Sequence, residues 1–131
     1  MKLTKGGKGT ETGGSQVYFS ATYIPIRSYR FLLPFFRNSA RVEKQARASA
    51  GLIEYQLQAD PLNRRFWTVS LWTDPNLMAD FVKTDPHSTT VRLFPEWAAD
   101  GYGSTRWIAD HAKIDWREVE RHLREAGASE A

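Results

Sequence analysis

The chain has 131 residues, of which 41% are apolar and 25% charged, with a formal charge of +3 and no cysteine. That size and balance point to one folded domain with a real core. The missing cysteine excludes disulfides, thiolate catalysis and cysteine-ligated metals, and no apolar run approaches the ~20 residues needed to cross a bilayer.

Met1–Ser15 holds five of the nine glycines and no large apolar residue beyond Leu3. Such a segment offers little to offset its ordering entropy, so residues 1–15 are expected to be a flexible tail ahead of a domain spanning 16–127. Its GGKGTETGG run sets glycines beside a lysine, but no strand precedes it and the spacing is not that of a phosphate-binding loop. The segment also lacks the apolar core of a signal peptide, and a cytoplasmic location is the expectation.

Val17–Pro25 alternates Val17, Phe19, Ala21 and Tyr23 with Tyr18, Ser20, Thr22 and Ile24, which predicts a first strand. Arg27–Leu33 leads into a helix with Ser28 as its cap and Pro34 early in it. Phe31, Phe35, Val42 and Ala46 form the apolar stripe of this helix, and Gly51 stops it. Leu52–Ala59 predicts a second strand with Ile53, Tyr55, Leu57 and Ala59 on one face. Asp60-Pro61-Leu62-Asn63 is a turn. Arg65–Thr73 predicts a third strand, with Trp67, Val69 and Leu71 on one face and Phe66, Thr68, Ser70 and Trp72 on the other, paired with the second as a hairpin.

Asp74-Pro75 sets a cap before a proline at the first helical position, and Leu77, Met78, Phe81 and Val82 supply the buried face of a short helix. Asp85-Pro86 repeats the device, so the helix should break and restart there. His87, Val91 and Phe94 then share one face. Pro95–Gly103 reads as a loop with Trp97 as a lid or packing residue, and Ser104–Ala109 as a fourth strand. Asp115 and Glu118 open a last helix whose apolar side is Trp116, Val119 and Leu123, ended by Gly127.

The order β-α-β-β-α-β with an added C-terminal helix is the α+β, ferredoxin-like arrangement. Both sheet faces carry bulky residues, so a second copy stacked sheet to sheet as a homodimer is expected to cover the face the helices leave bare. Trp72-Thr-Asp-Pro75 followed by Phe81 and His87, after an antiparallel hairpin, resembles the dimeric α+β barrel superfamily, which includes the antibiotic-biosynthesis monooxygenases. Arg27-Ser-Tyr-Arg-Phe31, Arg47-Ala-Ser-Ala-Gly51, Arg65–Trp72, Pro86-His87 and Trp107 are similar to an uncharacterised bacterial branch of it, over roughly residues 17–124. The resemblance implies a fold; it does not select among cofactor-free oxygenases, haem-degrading enzymes, cyclases and non-catalytic proteins.

Within that range the first candidate is His87, a general base for a phenolic or enolic substrate in an apolar pocket, or a packing residue bonded to a backbone carbonyl. In the cofactor-free oxygenases that it resembles, such proton abstraction gives a carbanion able to reduce oxygen directly. Thr68, Ser70 and Trp72 share a strand face, as a pocket wall or, for Trp72, as an anchor for the next helix. Val91 is candidate lining, and Phe81, Trp97, Tyr23 and Tyr55 are core residues or lining. The expected ligand is an apolar or aromatic small molecule. No cofactor is expected. Haem is the secondary reading, although Val91 stands near the position where the haem-degrading members carry a ligand histidine. Those members and some of the oxygenases also place an asparagine in the first strand, where this chain has Ser20 and Thr22, neither an equivalent donor and acceptor. His87, His111 and His122 lack metal-ligand spacing, so no metal is expected. Arg30, Arg37, Arg41, Lys44 and Arg47 against Glu43 make a basic segment, but no motif supports nucleic-acid binding. A non-catalytic small-molecule binding protein of the same fold is the alternative to an enzyme.

Overall fold

The computed structural model describes residues 2–9 and 11–129. In chain order its elements are β1 (Leu3–Lys8), β2 (Val17–Pro25), α1 (Leu32–Arg47), β3 (Leu52–Asp60), β4 (Arg65–Trp72), α2 (Pro75–Lys83), α3 (His87–Trp97), β5 (Gly103–Ala109) and α4 (Trp116–Glu125). The described residues form one antiparallel sheet in the order β1-β3-β4-β2-β5. Its last four strands follow the expected ferredoxin-like order, with β2 and β4 at the centre.

The aromatic alternation of β2 and β4 divides the two faces as expected. Phe19, Ala21, Tyr23, Trp67, Val69 and Leu71 pack on the back face against Val119 and Leu123 of α4. On the front face Trp72 packs with Met78 and Phe81 of α2, and Phe66 with Phe35 of α1 and Trp97 of α3. The helix ends are set by short-range chemistry. Asp74 accepts from the Asn76 N–H at 2.7 Å and Asp115 from that of Arg117 at 2.9 Å, which satisfies donors orphaned at each first turn. α1 ends at Arg47 with Ala48 as its cap, and Gly51 turns the chain into β3 at φ +86°, where a Cβ would meet the Leu77 side chain at 2.6 Å. Gly51→Ala is expected to destabilise the protein by about 1–2 kcal/mol through the left-handed backbone alone, read as a drop in the denaturation midpoint.

Four expectations need correction. The glycine-rich segment is not a tail over its described length, because Leu3–Lys8 pairs in register with Glu54–Ala59. Counting apolar side chains missed it, since this strand is held by its backbone ladder and by ion pairs. Lys5 reaches Glu43 at 3.4 Å and Lys8 reaches Glu54 at 3.0 Å, while a Cβ at Gly6 would strike the Tyr55 carbonyl oxygen at 2.0 Å. Residues 1 and 10 of the expected tail lie outside the described residues.

Secondly, Ile53 does not share a face with Tyr55. A bulge between Leu52 and Glu54 turns Ile53 to the back cluster and Tyr55 to the front, as an extra residue in one strand does. Thirdly, α3 continues through Pro95 to Trp97 instead of ending in a loop. Near a helix end, proline removes only the donor to the residue four back, and packing of Leu93, Phe94 and Trp97 holds the turn.

The fourth concerns the second sheet face. It is covered within the chain by α4, so Val17, Ala21, Val69 and Leu71 are 0% exposed without any partner. Sheet stacking between two copies therefore loses its sequence rationale. Whether a homodimer forms is decided by its solution mass against the 15.0 kDa chain.

Candidate functional site

Helices α1, α2 and α3 arch over the front face and leave a cavity of about 330 Å³ beneath them, a size suited to a small organic ligand. The sheet contributes a hydroxylated floor: Ser20 and Thr22 of β2, Thr68 and Ser70 of β4, and Ser104 of β5. The helices contribute an apolar roof that includes Phe35, Val42, Phe81, Val91 and Phe94. Its lining includes no Asp, Glu or Lys, and the charged or titratable groups are His87, Arg106 and the phenols of Tyr55 and Tyr102.

His87 stands where α2 has ended and α3 begins, and the break is held from α1. Gln45 donates through Nε2 to the carbonyls of Phe81 at 3.1 Å and Thr84 at 3.0 Å, and its Oε1 accepts from the His87 N–H at 2.9 Å. One side chain thus ties two helix ends together: the Phe81 and Thr84 carbonyls also accept from the Thr84 and Ser88 N–H groups, and the His87 N–H at the start of α3 has Gln45 as its partner. Asp85 completes the restart by accepting from the Thr89 N–H at 3.2 Å and from the Ser88 and Thr89 hydroxyls. These bonds hold its carboxyl below the usual carboxylate range. Gln45→Leu is expected to lower stability by about 1–3 kcal/mol by stranding the His87 N–H, measured by chemical denaturation.

The imidazole of His87 lies 3.2 Å through Nδ1 from the Val82 carbonyl oxygen. A carbonyl can only accept, so Nδ1 carries the hydrogen and Nε2 keeps its lone pair. Burial pulls the His87 pKa below the ordinary 6.5; the Val82 bond opposes this and the charge of Arg106 adds to it. The ring is therefore neutral at pH 7. Phe81 packs against it with centroids 4.8 Å apart.

Among the other sequence candidates, Thr68, Ser70, Phe81 and Val91 join His87 around the cavity. Trp72, Trp97 and Tyr23 do not. Trp72 is fully buried beneath α2, where its Nε1 donates to Ser70 Oγ at 2.8 Å and its ring lies 5.2 Å from Phe81. It positions two lining residues without lining the cavity itself. Trp97 is buried in the cluster with Ile24, Phe35 and Phe66, so it is no lid. Tyr23 belongs to the opposite sheet face beside Trp67, where burial raises its phenol pKa.

Arg106 was missed because it sits on an edge strand whose residues alternate in exposure, and the sequence offers no sign of what that strand faces. Tyr55, a residue expected in the core or the lining, lines the cavity, and burial, with the nearby charge of Glu43, pushes its phenol far above the usual range. Ser20 and Thr22 lacked the amide of the expected relatives but occupy the floor. Thr22 Oγ1 is 3.0 Å from Ser104 Oγ.

No metal is indicated by the donor set: among the described residues no three His, Cys, Asp or Glu side chains converge. Haem is a poor match for the lining. Its two propionates would need cations, and the lining includes one, Arg106. No helix among the described residues is long and apolar enough to cross a membrane.

No protein-family model matches the chain, and no curated protein matches its sequence. Solved structures match its fold. A conserved protein from Methanosarcina mazei Go1 superposes with a TM-score of 0.63 at 10% identity, over 71% of this chain and 92% of that one. An antibiotic biosynthesis monooxygenase superposes with a TM-score of 0.56 at 16% identity, over 73% and 99%. SnoaB from Streptomyces nogalater, a cofactor-independent oxygenase, gives 0.54 at 11% identity, over 77% and 97%. The chain thus shares the α+β fold of antibiotic-biosynthesis-monooxygenase-like structures.

Proposed function

We propose that the cavity beneath α1, α2 and α3 binds an aromatic or polyketide-like small molecule and that the protein is a cofactor-independent, monooxygenase-like enzyme. The observation that carries this reading is the His87 imidazole, held by the Val82 carbonyl so that Nε2 is an acceptor at an apolar cavity. A neutral imidazole there is suited to remove a proton from a phenol, an enol or an activated methylene. The floor hydroxyls orient the ligand, and Ser70, already accepting from Trp72, keeps its own proton for it. Arg106, whose charge reaches His87, stabilises the anion formed. That anion is electron-rich enough to reduce dioxygen; an anthrone methylene and O₂ give a quinone carbonyl and water. An apolar roof shields the reactive anion from solvent. SnoaB, a cofactor-independent oxygenase of the same fold, supports the reading.

Oxygen consumption with a panel of anthrones and quinols tests it. Uptake that accompanies quinone formation and falls in Arg106→Gln by about tenfold or more, as expected for loss of a charge-assisted contact, bears it out. A panel that binds with no uptake sinks it.

One observation favours a second reading, a non-catalytic small-molecule binding protein. The imidazole's orienting partner is a carbonyl, and its depressed pKa makes it a weak base. That reading expects a ligand-dependent rise in melting temperature without turnover.

A further inference from the structure

On the outer side of the α1 N-terminus the chain exposes large apolar side chains, one of which, Phe36, also rests edge-on against the core ring of Phe66 at 5.4 Å between centroids. Leu62 is 75% exposed, Leu33 61%, Tyr29 58% and Phe36 39%. They form one patch. The Tyr29 hydroxyl donates to the Leu62 carbonyl at 2.6 Å, joining the turn before α1 to the turn between β3 and β4. Leu33 follows Tyr29 by four residues and precedes Phe36 by three, the spacing that sets side chains on one helix face.

The rim of this patch is cationic. From Ile26 to Val42 the sequence carries Arg27, Arg30, Arg37 and Arg41 and no acidic residue. Arg27 and Arg30 lie over the Phe31 ring at 5.2 and 4.7 Å, and Arg64 lies over Tyr29 at 4.6 Å. Among the described residues none of Arg27, Arg30 and Arg37 has a carboxylate partner. The apolar groups protrude from a turn and a helix start instead of lining a groove, so they offer no socket for a partner's side chains. Protruding leucines and a tyrosine ringed by arginines fit the boundary between the headgroups and acyl chains of an anionic bilayer.

We propose that this face docks the protein on the surface of membranes containing anionic lipid, with Leu33 and Leu62 entering the acyl boundary and Arg27, Arg30 and Arg64 meeting the headgroup phosphates. The docking is peripheral and needs no spanning segment.

Sedimentation of the full chain with unilamellar vesicles is the test, comparing phosphatidylcholine alone with phosphatidylcholine containing phosphatidylglycerol. The chain is expected to pellet with the anionic vesicles only, and to be released by salt. Arg27→Gln with Arg30→Gln is expected to weaken partitioning about fivefold for each charge removed. Leu33→Ser with Leu62→Ser is expected to weaken it by about tenfold or more, with an unchanged melting temperature because both positions are exposed. Failure to pellet with anionic vesicles overturns the proposal. So does partitioning indifferent to the leucine replacements, which would mark plain electrostatic adsorption. A lower solution mass in the leucine variant would assign the patch to contact between copies, and leucine-dependent binding of an acidic polypeptide in place of vesicles would assign it to a protein partner; both also overturn it.

Discussion

Replacing His87 with alanine is expected to reduce turnover of an accepted anthrone or quinol by about 10²–10⁴-fold, the usual contribution of a positioned general base, while ligand affinity changes little. The imidazole meets three requirements of such a base at once. Its tautomer is set by Val82, its backbone is set by Gln45, and its environment keeps it neutral. The acid limb of the wild-type rate profile should then lie below pH 6.5, because burial and Arg106 both lower the pKa. Arg106→Gln removes one of those two effects and should move the limb upward.

Stability carries the same sign. A folded-state pKa below the unfolded value means that the His87 contribution is complete above pH 6.5 and is lost as pH falls through the lowered pKa. Oxygen uptake unchanged by His87→Ala would remove the base from the mechanism, whereas the binding reading requires that the wild-type chain itself bind the panel without raising uptake.

The largest expected stability effect is at Trp72. Trp72→Ala should destabilise the protein by about 3–5 kcal/mol, the range for emptying a fully buried aromatic site, read from chemical denaturation. Trp72 is 0% exposed and shares one cluster with Leu52, Met78 and Phe81. Its removal leaves a void between β4 and α2 and takes the donor from Ser70 Oγ. Trp72→Phe keeps most of the packing and loses the hydrogen bond, so about 1–2 kcal/mol is expected for it. A loss below about 1 kcal/mol for the alanine variant would mean that α2 can settle onto the sheet without the indole, contrary to the cavity argument. Loss of ligand binding in Trp72→Phe, with stability retained, would show that the indole also acts on the cavity through Ser70.

Much of the fold was legible because its determinants are local. Asp74-Pro75 announces a helix start, and the alternation of Phe66–Trp72 assigns its residues to two faces, with Trp67, Val69 and Leu71 in the back cluster and Phe66 and Trp72 in two front clusters. The unread parts depend on contacts distant in sequence. Nothing near Leu3–Lys8 says that Glu43 and Glu54 wait for its lysines, and nothing near Ile53 signals the bulge that turns it over. The candidate site divides in the same way. His87, Val91 and Phe94 follow from helical spacing, whereas Gln45 and Arg106 reach the site from elements far along the chain. Trp97 and Tyr23 were misplaced because an aromatic side chain in a strand or loop reads alike whether it faces ligand or core.

The first strand has a consequence for how this protein keeps to itself. β3 would otherwise present a bare row of amides and carbonyls along Glu54–Ala59, next to the aromatic centre of the sheet. β1 occupies that row and turns outward an edge carrying Lys5 and Lys8, both well exposed, and charged edges of this kind resist pairing with another chain. A chain lacking residues 2–9 should therefore retain its cavity yet self-associate through the uncovered strand, so that the glycine-rich beginning serves as a guard against aggregation.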